Sequence, residues 1–130
     1  MLIDTNVYSA LNKGHQAAAR LIGAQQSIYV PVVVVGELRY GFAYGTKQVE
    51  NEEQLNRFIA STAVELLYIS HKTTELYAEL AAYCRRSGRV LSDNDLWIAA
   101  LAQEHGLSLA TYDKDFEVLR SEFGSRLKIL

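Results

Sequence analysis

Asp4, Glu37, Asp95 and Asp113 are the acids whose neighbours suggest more than a solvated surface. Asp4 follows the apolar pair Leu2-Ile3 in the stretch MLIDTNVYSAL. Glu37 lies among Val32 to Val35, Leu38 and Phe42, where an ionised carboxylate needs a partner to offset its desolvation. In LSDNDLWIAALA, one of Ser92 and Asp93 is expected to cap a helix. Asp95 then falls in the first turn, with Ile98 and Ala99 one turn on, so it is preferred over Asp93 as the functional acid. In TYDKDF, Asp113 follows a predicted strand most closely, while Asp115 is expected to stabilise the start of a short helix. Each acid alone has an ordinary explanation: Asp4 as an N-cap, Glu37 as a complement to a helix dipole. Their joint occurrence is harder to explain that way. At ~5 Å and an effective dielectric of ~20, each carboxylate pair costs about 3 kcal/mol. Such a site either stays partly protonated or holds a cation. Oxygen ligands without His or Cys favour Mg²⁺, with Mn²⁺ a possible substitute. A carboxylate-held Mg²⁺ keeps waters and engages phosphate, so phosphodiester hydrolysis is the natural chemistry. His15, His71 and His105 are widely spaced at predicted helix edges and are read as solvated. No Ser-His-Asp order, P-loop or dinucleotide glycine fingerprint competes.

These acids must be positioned by alternating elements. Strands are expected at Leu2-Ile3, Ser27 to Pro31, Val64 to Ile69, Leu107 to Thr111 and Leu127 to Leu130. Helices are expected at Thr5 to Asn12, His15 to Ala24, Val49 to Ser61, Thr73 to Ser87, Asn94 to His105 and Asp113 to Leu119. The run VVVVGELRYG is ambiguous, because four valines favour a strand. The spacing of Val35, Leu38 and Phe42, with Pro31 as a boundary, predicts a helix over Val33 to Tyr44. Alternation of this kind implies a parallel sheet covered on both faces, with ligands beyond the carboxyl ends of the strands. Asp4 and Asp113 follow two such ends.

The 130 residues suit one domain, 1–130, and hydrophobic residues at 49% suffice for a core. A net charge of −2 excludes a protein that coats nucleic acid by bulk positive charge, though not a nuclease with local cations. Arg39, Arg85, Arg86, Arg89 and Lys114 are the candidates for holding a phosphate backbone. The lone cysteine, Cys84, excludes a disulfide framework, fits a reducing cytoplasm, and is read as core. No apolar run approaches membrane length and the start lacks a signal-peptide pattern. Trp97 follows Asp95 in an apolar helix and is read as core or dimer interface rather than a base-stacking platform.

LIDTNV, GELRYG, SDNDLWIAALA and LATYDKDF, in this order, resemble the PIN-domain nucleases, most closely the VapC-like toxins of prokaryotic toxin–antitoxin modules. The resemblance covers nearly the whole chain. It implies a three-layer α/β/α domain around a central parallel sheet of four to five strands. It also implies a Mg²⁺-dependent ribonuclease site formed by Asp4, Glu37, Asp95 and Asp113. Asn6 and Thr111 match positions that orient the acids or water by hydrogen bonds. By the family's mechanism, metal-activated water attacks a phosphodiester in RNA and leaves a 5′-phosphate on the downstream fragment. The implied partners are a second copy of the chain in a homodimer and a small VapB-like antitoxin whose tail blocks the crevice. Alternatives are a PIN-fold RNA-processing nuclease without a toxin role and a catalytically inactive binding module. A phosphoaspartyl enzyme is disfavoured, because Asn6 stands where it needs a second acid.

Overall fold

A computed structural model describes residues 1–130. Five parallel strands form one sheet in the order β3-β2-β1-β4-β5. They are β1 (Leu2–Ile3), β2 (Ile28–Pro31), β3 (Val64–Leu67), β4 (Leu109–Thr111) and β5 (Leu127–Ile129). Helices α1 (Thr5–Asn12) and α2 (Gln16–Gly23) join β1 to β2, and α3 (Val32–Tyr44) and α4 (Gln48–Ile59) join β2 to β3. Helices α5 (His71–Arg86) and α6 (Asp93–Glu104) lead to β4. A 3₁₀ helix (Lys114–Leu119) and a short α7 (Arg120–Phe123) lead to β5. Right-handed crossovers put α1 to α4 on one face and the later helices on the other, giving three layers. The packing of α1 on α2 and α3, α3 on α4, and α5 on α6 agrees with this division.

The order of the strands decides where a ligand can sit. From β1 the chain winds outward through β2 to β3, then returns to place β4 on the other side of β1. Helices therefore leave β1 and β4 in opposite directions, which opens a crevice at the carboxyl ends of these two neighbours. Leu2 and Ile3 lie beside Leu109 and Ala110, all four fully buried. That register brings the residues after both strands to the same level.

The ambiguous valine run is helical from Val32, with Pro31 ending β2 and serving as the N-cap position of α3. Its buried residues are Val34, Val35 and Leu38, while Phe42 is half-buried. In α6, Ile98 to Ala102 are all inaccessible to solvent, which fixes that helix against the sheet. Cys84 is buried in the core. Trp97 is half-buried and stacks on Tyr77 of α5, with ring centroids 4.0 Å apart.

Three local differences from the sequence expectation have physical causes. β4 begins at Leu109 rather than Leu107, because the Leu107 N–H donates to the Ala102 carbonyl at 2.8 Å. Gly106, at φ +62°, makes the left-handed turn for that helix stop. The expected helix after Asp113 is a 3₁₀ helix, and α7, only four residues long, was not expected. Asp113 rather than Asp115 caps the 3₁₀ helix, its Oδ1 accepting the Asp115 N–H at 2.8 Å. No helix is long and apolar enough to cross a membrane.

Candidate active site

Asp4, Glu37, Asp95 and Asp113 line one open crevice of about 470 Å³ at the carboxyl ends of β1 and β4. Each arrives on a different element. Asp4 follows β1 and caps α1, Glu37 lies one turn into α3, Asp95 lies in the first turn of α6, and Asp113 precedes the 3₁₀ helix. Ser92 is the cap of α6, its hydroxyl accepting the Asp95 N–H at 3.2 Å. Asp93 is exposed and accepts the Tyr77 hydroxyl at 2.9 Å, and it does not line the crevice.

Asp4 is the deepest acid, only 4% exposed. Its Oδ1 accepts the Thr5 N–H at 2.7 Å. Its Oδ2 accepts the Thr111 hydroxyl at 2.7 Å and the Asn6 amide at 3.0 Å. Thr111 is itself fully buried, and its oxygen accepts the Asp113 N–H at 2.9 Å. Asn6 Oδ1 accepts the Tyr112 N–H at 2.9 Å. One polar network therefore ties the end of β1 to the end of β4. Glu37 is held differently, by the Thr5 hydroxyl and by the Asn94 amide at 2.8 Å.

The electrostatics follow from burial. Desolvation is the largest influence on Asp4 and raises its carboxyl from 3.8 to about 6. Hydrogen bonds from Thr111 and Thr5 oppose the rise, while the charges of Asp95 and Glu37 add to it. Asp95 is raised as well, by desolvation first and then by Asp113 and Glu37, against the Ser92 hydrogen bonds. None of the four acids is in a salt bridge. No three of them converge tightly enough to form a coordination shell unaided. An open crevice with carboxylate oxygens and no paired cation suits a hard divalent ion whose remaining positions are filled by water. The residues present fit such an ion.

The positive candidates are placed less uniformly. Arg39 donates to Glu52 at 3.2 Å and faces Asn56, so its charge is already engaged on α4. Arg89 and Lys114 line a second hollow with Val90 and Asp115. Arg85 and Arg86 are exposed at the end of α5. The basic side chains on the acid-lined crevice are instead Lys13 and His15. His15, expected from the sequence to be solvated, is exposed but forms part of the crevice wall.

A PIN domain model matches residues 1–121. The chain belongs to the PIN domain family. This PIN domain is 30% identical to ribonuclease VapC5 of Mycobacterium tuberculosis, over 91% of this chain and 86% of the relative. It is also similar to a structure of VapBC2 from Rickettsia felis bound to a promoter DNA fragment. That match has 26% identity and a TM-score of 0.79, covering 99% of this chain and 96% of the other. A structure of VapBC-5 from M. tuberculosis, of the VapBC family of toxin–antitoxin systems, matches at 25% identity and a TM-score of 0.69, covering 99% and 95%. PIN-domain nucleases generally use a divalent metal.

Proposed function

We propose that this PIN domain is a Mg²⁺-dependent endoribonuclease, the toxin of a toxin–antitoxin pair. The observation that carries the reading is the crevice itself, with four acids from four elements and no salt-bridged cation among them. The names of its relatives, ribonuclease VapC5 and a VapBC toxin–antitoxin complex, support RNA as substrate and an antitoxin as partner. In this reading Asp4, Glu37, Asp95 and Asp113 are the residues that would hold the ion, with water filling its remaining positions. A divalent ion there would screen phosphate charge and lower the pKa of water. The chain's own residues do the rest. Asn6 and Thr111 fix the Asp4 carboxylate by hydrogen bonds, and Thr5 and Asn94 fix Glu37. Held in place, these carboxylates stay on the wall of the crevice that the substrate would enter. The chain acts as a homodimer, and a VapB-like antitoxin holds it inactive by blocking the crevice. An antitoxin arginine entering the crevice would meet carboxylates that no salt bridge engages. The compartment is the cytoplasm, which suits the buried thiol of Cys84.

The test is cleavage of total cellular RNA by the purified chain with Mg²⁺, with mapping of the new ends. Cleavage should stop with a chelator and with Asp4→Asn, and the downstream fragments should carry 5′-phosphates. Expression without a partner should arrest growth. A folded Asp4→Asn protein that cuts as fast as the native chain would overturn the reading. Cleavage without growth arrest would point to an RNA-processing nuclease.

A further inference from the structure

An acid-lined crevice repels the phosphates it is meant to receive, so some wall of it must attract them. The connection between α1 and α2 is built to present two basic side chains there. Lys13 stands at the end of α1, Gly14 follows at φ +77°, and His15 precedes α2. The Gly14 N–H donates to the Leu11 carbonyl and the His15 N–H to the Ala10 carbonyl, both at 3.0 Å. These two bonds are the standard left-handed stop of a helix, and the positive φ favours glycine between the two basic residues. The backbone of the pair is thereby fixed.

Neither side chain is spent on holding the fold. Lys13 is in no salt bridge, and both residues are exposed. His15 occupies the N-cap position of α2 but makes no side-chain cap bond. Its imidazole instead meets Tyr112 edge-on, with ring centroids 6.5 Å apart and planes at 78°. Tyr112 lies between Thr111 and Asp113, its N–H held by Asn6; it is half-buried against the core and lines the same crevice. The Lys13 cation, the His15 imidazole and Tyr112 thus line the crevice together beside the acids.

We infer that Lys13, His15 and Tyr112 form the wall that holds the RNA strand. Lys13 takes a backbone phosphate next to the scissile one, and the His15–Tyr112 face takes a base by stacking. The inference rests on the ribonuclease reading and names the residues that grip its substrate. Such a wall selects single-stranded RNA, because only an unpaired base can lie on the ring.

The experiment measures binding of a single-stranded RNA oligonucleotide to the Asp4→Asn protein, which should hold RNA without cutting it. Adding Lys13→Gln should weaken binding several-fold and reduce the slope of log K against log salt by about 0.7, the loss of one phosphate contact. Adding Tyr112→Ala should weaken binding by about 5- to 100-fold, with the slope unchanged. Tyr112→Phe, which keeps the ring, should bind like its parent and so separates stacking from misfolding. In the native background, Lys13→Gln and His15→Gln should raise KM with little change in kcat. Mn²⁺ affinity should not move. Unchanged binding and salt slope in the Lys13 and Tyr112 variants, with native cleavage intact, would overturn the wall alone. Altered Mn²⁺ affinity with native RNA affinity would also overturn it. If the native chain neither cuts nor binds RNA, the ribonuclease reading falls and the wall falls with it.

Discussion

Two buried threonines donate to carboxylates in this molecule, and only one of them does so at the acid-lined crevice. Thr111 donates to Asp4 at 2.7 Å at the carboxyl ends of β1 and β4. Thr73 donates to Glu104 at 2.5 Å, where the start of α5 meets the end of α6. Both threonines are fully buried. At Thr73 the surroundings complete a cap: Ser70 and Thr73 exchange backbone and side-chain bonds, and the Ser70 hydroxyl also donates to Glu104. His105 lies 3.9 Å from the same carboxylate. At Thr111 the surroundings add more acid, with Glu37, Asp95 and Asp113 lining the crevice around Asp4. The hydrogen bond is the same in both regions. What distinguishes the crevice is a group of carboxylates that no salt bridge engages.

The comparison breaks most visibly under charge removal. Asp4→Asn should lower metal-dependent RNA cleavage by about a thousandfold or more, given the several kcal/mol that a cation supplies. Glu104→Gln should leave the cleavage rate near native. Parallel rate measurements on the two folded variants check this.

The next largest effect is on stability and its pH dependence. Asp4 is raised to about 6, so the fold prefers it protonated. Its stabilising contribution is full below the unfolded value near 3.8 and is lost as pH rises through about 6. Across that window the metal-free native chain should lose about 3 kcal/mol relative to Asp4→Asn, at 1.36 kcal/mol per pKa unit. Denaturant titrations of both proteins at a series of pH values isolate the contribution of the Asp4 carboxyl. Mg²⁺ should restore much of the loss above the window, because the ion binds the folded form.

Removing either threonine hydroxyl sharpens the contrast. Thr111→Val should cost about 1–3 kcal/mol of stability, since it leaves the part-buried Asp113 N–H without its acceptor and the buried Asp4 carboxylate without a donor. It should also lower cleavage by about 10- to 100-fold, as loss of a group that orients a metal ligand does. Thr73→Val should cost a similar or smaller amount of stability with cleavage unchanged. Unfolding curves and rates on the same samples separate the two outcomes.

The sequence made the architecture legible where burial imposes a period. Leu2-Ile3, Cys84 and the apolar length of α6 each sit where their patterns put them. The valine run resolved as a helix because Val34, Val35 and Leu38 share one buried face, which outweighed β propensity. α7 left no signal, since four residues are too few to show a period. At the crevice, the acids were legible because each follows or opens an element. The sequence did not show that Asp113 must cap the 3₁₀ helix, nor that Asn94 bonds Glu37 across 57 positions. Lys13 and His15 were missed for a geometric reason. They lie at the far end of α1 from Asp4, and only the packed orientation of that helix puts both of its ends on one cavity.

Divalent-ion binding by the metal-free chain, followed with Mn²⁺ by calorimetry or spin resonance, tests the shared acidic crevice most directly. The account predicts binding by the native chain that is weakened at least about tenfold by Asp4→Asn and, separately, by Asp95→Asn, consistent with loss of an anionic ligand. Native-like Mn²⁺ affinity in both folded variants would contradict it.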